Sequence, residues 1–378
     1  MRVYPEINSN LLGDAAASAG GDLWIKFPQL QEWIDGKKKP TVNQLADFAK
    51  TVHIPFGFFF LEKLPEIKNT VPLFRTNSKV AHFDYSYELR ETINTIQKRQ
   101  DWLVDYLRSE QQDKLPFVGK FNTRHNYTEI ANDIRKVLDL PINWSQSLPN
   151  KDVVLKYLIR KAENVGIYVA INGVVGNSSK NLNPEEFKGF VLSNKWAPYI
   201  FINGKDYPAA KIFTFMHEVA HIWLDKSAVL DIEQLQPANT EMEKLCDAVA
   251  AELLVAKDIL TKEWQRVEKQ TNHLDQLGRL FKVSKLVIAR RLLDLGFYSK
   301  PQFFSFYNKY KAGWDNKKEQ NEAGGGSFYA NQAYRVGIKF FETVSTAAAS
   351  GKLLYTDAYK LTNLYGSTFS KFKSHLEN

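Results

Sequence analysis

One eleven-residue run constrains this chain more than any other. Phe213-Thr214-Phe215-Met216-His217-Glu218-Val219-Ala220-His221-Ile222-Trp223 sets a His-Glu-x-x-His pattern inside an almost continuous apolar segment. The pattern predicts a helix, on which residues four apart project from one face about 6 Å from each other. His217 and His221 can then hold one metal ion, while Glu218, one step round the helix, reaches the water to be activated. An i,i+4 His pair can also be the polar edge of an amphipathic helix. The flanks favour the metal: Ile212, Phe215, Met216, Val219, Ile222 and Trp223 leave little polar surface, and ionisable groups embedded there need partners.

Those partners must come from a second element, and the downstream run from Asn239 to Leu254 offers one. It reads as a helix with Asn239 or Thr240 as N-cap and neither Gly nor Pro inside. Glu243 and Asp247 again stand four apart. Glu243 is assigned to the metal, completing a His₂Glu set with one open position. Asp247 is assigned to the free ring N–H of a ligating His, which fixes its tautomer. Glu241 and Glu252 are read as a solvated acidic face. Cys246, the single cysteine, is read as a small buried apolar residue rather than a ligand. The expected chemistry is zinc-assisted attack of water on a peptide carbonyl with Glu218 as base.

Four blocks in order carry a more specific resemblance. Glu186-Phe187-Lys188-Gly189-Phe190-Val191-Leu192-Ser193, then Ala197-Pro198-Tyr199-Ile200-Phe201-Ile202-Asn203, then the His-Glu-x-x-His helix, then Glu243-x-x-Cys246-Asp247-Ala248-x-Ala250-Ala251-Glu252-Leu253-Leu254 together resemble the ImmA/IrrE metallopeptidases. The resemblance implies a small zinc peptidase domain with His217, His221 and Glu243 on the metal and Glu218 catalytic. It also implies a protein substrate, since members with known roles cleave transcriptional repressors encoded nearby. Two departures stand out: Val255-Ala256 follows the last block where Leu-x-Pro is frequent, and Asp247 replaces a frequent Asn while keeping an acceptor. The fold class expected is α+β, mostly helical, with a zincin-like core of small sheet and metal helix flanked by helical domains.

Charge is distributed unevenly. The net +8 is modest for 378 residues. Residues 206–254 carry 3 basic and 9 acidic groups, whereas 255–300 carry 10 basic and 5 acidic. The basic stretch has its own pattern over 273–296: helix, turn at Lys282-Val283, Ser284 as N-cap, then helix ending at Gly296. It resembles a helix-turn-helix, whose second helix would present Lys285, Arg290 or Arg291 to DNA or an acidic partner. A hairpin that only packs on the catalytic core is the alternative.

Near the N-terminus, Phe27 to Ala49 resembles the latter half of an XRE-type helix-turn-helix domain, with Trp33-x-x-Gly36 and a Pro40-Thr41 helix start. The first half departs from that pattern. Ala15 to Trp24 is shorter than the usual helix pair and holds Gly20-Gly21, which argues against direct DNA binding and leaves a scaffold or protein-binding role open. The organisation expected is a degenerate XRE-like domain at 1–70, a helical bracing region at 71–150, the peptidase domain at 151–300 and a helical module at 301–378. Residues 54–76 read as a linker and Glu322 to Gly326 as a break. Helices are expected at 85–112 and 127–164, and strands at 166–171, 188–194 and 199–204. The last strand is the expected place for an extended substrate to add.

A single cysteine excludes a disulfide framework within the chain, and no apolar run approaches ~20 residues. A cytoplasmic protein without a membrane span is expected. The leading functional reading is an intracellular zinc endopeptidase that cuts a repressor or toxin-like partner in a stress, mobile-element or toxin-antitoxin setting. The alternative is a regulator or antitoxin that binds DNA or a toxin and uses the peptidase fold as a scaffold.

Overall fold

The computed structural model describes residues 5, 7–19, 23–52, 56–61, 86–176, 180–225, 228–230, 241–315 and 328–377. The candidate caps Asn239 and Thr240, the glycine break at 324–326 and most of the 54–76 linker lie outside these. The chain divides into two compact units, residues 1–70 and 71–378.

The first unit contains helices α1 (Ser9–Ala19), α2 (Leu23–Lys26), α3 (Leu30–Ile34) and α4 (Val42–Val52), followed by a 3-10 turn at Phe56–Phe60. Leu12, Leu30, Trp33, Leu45, Phe48 and Phe59 form its core. Phe48 is central, meeting Phe27 and Trp33 edge-on at 5.5 and 6.4 Å. Helix α4 starts on a reciprocal capping box. Gln44 N donates to Thr41 Oγ1 at 3.3 Å, and Thr41 N donates to Gln44 Oε1 at 2.9 Å.

The second unit is built round a small sheet. Helices α5 (Tyr87–Ser109), α6 (Tyr127–Val137) and α7 (Lys151–Asn164) lead to strands β1 (Tyr168–Asn172), β2 (Gly189–Leu192) and β3 (Tyr199–Asn203). Helix α8 (Pro208–Trp223), a short strand β4 (Ala228–Leu230) and helix α9 (Glu241–Leu254) follow. Then come α10 (Lys257–Val267), α11 (His273–Leu280), α12 (Lys285–Asp294) and α13 (Lys300–Asp315). The described chain closes with α14 (Phe328–Val336), α15 (Ile338–Ala349), α16 (Tyr355–Thr362) and α17 (Ser367–Glu377). The molecule is mostly helical with a four-stranded sheet in the order β1-β3-β2-β4, β1 parallel to β3 and the other pairs antiparallel.

Successive side chains on a strand point to opposite faces, and here both faces are apolar. Val169, Val191, Ile200 and Ile202 join the core that also holds Ile212, Phe215 and Val219 of α8. Tyr168, Phe190, Leu192, Tyr199 and Phe201 face the other way, into a core shared with Leu89, Ile93 and Ile96 of α5 and Phe340, Phe341 and Phe372 of the last helices. This two-sided burial explains why β2 and β3 read as continuous apolar runs rather than alternating ones.

Two glycines set how closely helices approach the sheet. A Cβ on Gly189 would lie 2.8 Å from Thr214 Cγ2 of α8 and 2.9 Å from Phe201 O. Gly337, at φ +87°, sits where a Cβ would fall 2.3 Å from Val169 O, so the α14–α15 junction lies directly against β1.

The sheet order corrects one expectation. Strand β3 pairs with β1 on one side and β2 on the other, so it has no free edge to which a substrate strand could add. Among the described residues, the sheet edges are β1 and β4.

Candidate metal centre

Helix α8 begins with Pro208 in its first turn, where the missing N–H costs nothing. It ends at Leu224, after which Asp225 takes a left-handed conformation. Every residue from Thr214 to Trp223 is buried. Its last turn is pinned by Trp223 Nε1, which donates to Asp133 Oδ2 of α6 at 2.9 Å.

The three residues of the motif lie deep: His217 and Glu218 are 0% exposed and His221 is 1% exposed. Helix α9 brings its acids to them. His217 Nε2 faces His221 Nε2 at 3.0 Å, and Glu243 Oε2 lies 3.1 Å from the first and 3.5 Å from the second. On the far side of the same ring, His217 Nδ1 donates to Asp247 Oδ1 at 2.9 Å. Donors at zinc bond lengths of 2.0–2.1 Å in a tetrahedral set stand about 3.3 Å apart, and the three separations bracket that value. The donor set therefore fits zinc, with Asp247 holding the His217 tautomer that turns Nε2 inward.

Two side chains compete for the third position. A ring nitrogen of each His and the Cys246 Sγ lie within 4.8 Å of one another, so thiol and carboxylate are both near. Glu243 is the better placed, because one of its oxygens already sits within 3.5 Å of both converging nitrogens.

Electrostatics follow from burial and these contacts. Burial disfavours a charged imidazole at His217, but hydrogen bonds to Asp247 and Glu243 more than offset it and raise its pKa to about 10. Burial lowers that of His221. Burial also works against ionised Glu243, yet its hydrogen bonds to His217 and His221 hold the carboxyl well below the usual range. Asp247 and Glu243 thus favour positive charge at His217, which a divalent cation would supply instead. Burial pushes Glu218 up to about 8, against the pull of His217. Among the described residues, both Glu218 oxygens, like His221 Nδ1, are buried without a hydrogen-bond partner. An acid so enclosed and unpaired is costly as mere structure.

The other end of α9 holds a group that the sequence misplaces. Glu252, read as solvated, is 6% exposed. It is paired with Arg291 of α12 and lies 3.6 Å from Arg135 of α6. It also accepts from Lys257 N at 3.3 Å, and Arg291 Nε donates to Val255 O at 3.1 Å. Arg291 is therefore removed from the candidate DNA contacts: it is 2% exposed and turned inward onto Glu252. The acidic and basic signs at these positions give no warning of the pairing, since the partners are 39 residues or more apart in sequence.

Helices α11 and α12 form the expected hairpin, with Lys282 left-handed at the turn and Ser284 Oγ accepting from Val287 N at 3.2 Å. Lys285 reaches back to Asp275 at 2.7 Å, and Arg290 pairs with Asp294 one turn on.

The comparison with known families suggests a metallopeptidase-type protein. Residues 163–293 match the family model described as the IrrE N-terminal-like domain, a peptidase family, which supports the ImmA/IrrE resemblance. Residues 336–375 match a domain of unknown function (DUF8813). No curated protein matches the chain. No helix among the described residues is long and apolar enough to cross a membrane.

Proposed function

We propose that this protein is a cytoplasmic zinc-dependent endopeptidase with a zincin-like core that cleaves a specific regulatory protein, a repressor or toxin-like partner. The observation that carries the reading is the convergence of His217 Nε2, His221 Nε2 and Glu243 Oε2 within 3.0–3.5 Å beside a buried, unpartnered Glu218. These three atoms would hold the ion. Zinc, when bound, polarises the scissile carbonyl and acidifies water.

The remaining work falls to the chain itself. Glu218, buried next to His217 on α8, takes the proton of the attacking water and passes it to the leaving amine. Asp247 keeps the His217 ring from rotating or changing tautomer. An extended substrate would use a sheet edge rather than β3, and β4 is the edge strand next in sequence to α8.

Glu218→Gln tests the chemistry. Zinc content, measured on the purified protein, should stay near one equivalent, while cleavage of the partner encoded next to this chain should fall by roughly 10²–10⁴. Full activity in that variant sinks the peptidase reading.

A second reading has its own observation. Asp275 is flanked by Lys285, Arg279 and Lys151, three cations around one carboxylate. That excess supports the α11–α12 hairpin as a surface for DNA or an acidic partner, with Lys285 central and Arg290 at its margin. Binding to duplex DNA that weakens with salt, with a slope reduced by about one in Lys285→Gln, is the expected result. Salt-independent or absent binding rejects it.

A further inference from the structure

The cysteine on α9 offers more than packing. Cys246 lies one turn beyond Glu243 on the same helix, and its Sγ and a ring nitrogen of each of His217 and His221 lie within 4.8 Å of one another. The thiol is 0% exposed and makes no hydrogen bond among the described residues. It lies beside other groups without partners, both Glu218 oxygens and His221 Nδ1, each nine-tenths buried or more. A purely apolar filler at this position would need no such company. Zinc bonds of about 2.3 Å to sulfur and 2.0–2.1 Å to nitrogen place tetrahedral S and N donors about 3.6 Å apart. The observed limit of 4.8 Å exceeds that by roughly 1 Å, so closing the set requires the thiol and the two imidazoles to draw together around the ion.

We propose that Cys246 is a fourth protein ligand, so that the loaded site rests as a closed His217–His221–Glu243–Cys246 set and becomes a peptidase only when the sulfur lets go. This rests on the zinc reading above and adds regulation to it. Four protein donors are the mark of a structural zinc site, and three plus an open position that of a catalytic one. Here one helix carries both alternatives, three residues apart. On closing, the thiol would give its proton to solvent, water would leave the fourth position and the sulfur would take its place on the metal. On opening, the sulfur–metal bond breaks, a proton returns to sulfur and the position passes to water. No oxidant or reductant is needed. Glu218 has a reaction partner only in the open form.

Cobalt(II) distinguishes the cases, because a cobalt–thiolate bond adds a near-ultraviolet charge-transfer band to the visible d–d bands that any tetrahedral cobalt site shows. The full-length chain should be loaded with cobalt alone, as wild type and as Cys246→Ala. The wild type should show both features. Cys246→Ala should keep the d–d bands, lose the charge-transfer band, bind zinc at least about tenfold more weakly against a chelator and cleave faster at saturating zinc. Visible d–d bands in the wild type without the sulfur band overturn the ligand assignment and leave the peptidase reading intact. Failure of the wild type to bind cobalt or zinc at all overturns both.

Discussion

Helix α9 buries acidic groups toward both ends, and the two ends treat them differently. At its C-terminal end Glu252 meets Arg135, Arg291 and the Lys257 N–H, so its charge and its lone pairs are answered by the fold. At its N-terminal end Glu243 and Asp247 meet two imidazoles, next to a Glu218 whose oxygens meet nothing. Positions 243 and 252 are nine residues apart, which turns them to opposite sides of the helix at about 100° per residue. One side is fastened to α6 and α12, and the other opens toward α8. A satisfied buried charge belongs to a scaffold, whereas an unsatisfied one asks for something the chain does not supply.

The contrast breaks most visibly at Glu252. Glu252→Ala leaves two guanidinium groups buried without their carboxylate and should cost about 3–5 kcal/mol of stability. Urea unfolding of the metal-free protein measures it. A loss below 1 kcal/mol would mean that the network contributes no more than a surface pair, and the distinction between the two ends would fail.

Glu163 is an intermediate case that sharpens the comparison. It is buried at the end of α7 and accepts only a backbone N–H, that of Lys339 in the first turn of α15, at 3.2 Å. Burial raises its pKa from 4.5 to about 7. The folded state therefore holds this proton more tightly than the unfolded state does. Its stabilising contribution is fully present below about pH 4.5, declines as pH rises and is lost above about pH 7, a change of roughly 2–3 kcal/mol. Midpoints of unfolding between pH 4.5 and 8 should fall in the wild type and stay flatter in Glu163→Gln. Parallel profiles would show that Glu163 titrates normally.

Asp247 probes the metal end. Asp247→Ala removes the acceptor that orients His217 and should weaken zinc binding by about 10–100-fold. The unfolding midpoint of the metal-free protein should move far less than in Glu252→Ala, because the Asp247 side chain is 26% exposed and can be replaced by water. Equal effects on metal and fold would erase the difference between the two ends.

How much of this the sequence discloses depends on whether the interaction is local. The metal helix, its i,i+4 histidines and the Glu243/Asp247 pair are written within single helices, and α8 and α9 carry them to hydrogen-bond distance. Strands expected at 166–171, 188–194 and 199–204 occur at 168–172, 189–192 and 199–203. The Ser284 cap is equally local, a side chain answering an amide three residues on. Strand order is not local, and the apolar run from Tyr199 to Phe201 reads the same at an edge or in the middle of a sheet. Arg291 and Glu252 look like solvated charges until α6 and α12 are folded round them. The long apolar faces of β2 and β3 signal burial on both sides, yet only the assembled unit shows that α5 and the helices after residue 327 cover the second.

The smallest expected effect tests whether the two ends of α9 are energetically separate. Helix α12 starts at the Ser284 cap and carries Arg291 seven residues later, on the side that grips Glu252. Ser284→Ala removes one satisfied amide at a helix start and should cost about 1 kcal/mol. That loss falls on the scaffold side, because α12 grips α9 through Arg291 and Glu252, nine residues beyond Glu243. Zinc affinity should then equal that of the wild type while the urea midpoint drops. If affinity falls in step with stability, strain at the Arg291 end is transmitted along α9 to Glu243. The helix would then be a lever rather than a fixed beam, and the hairpin that caps it would be a means of acting on the metal site from a distance.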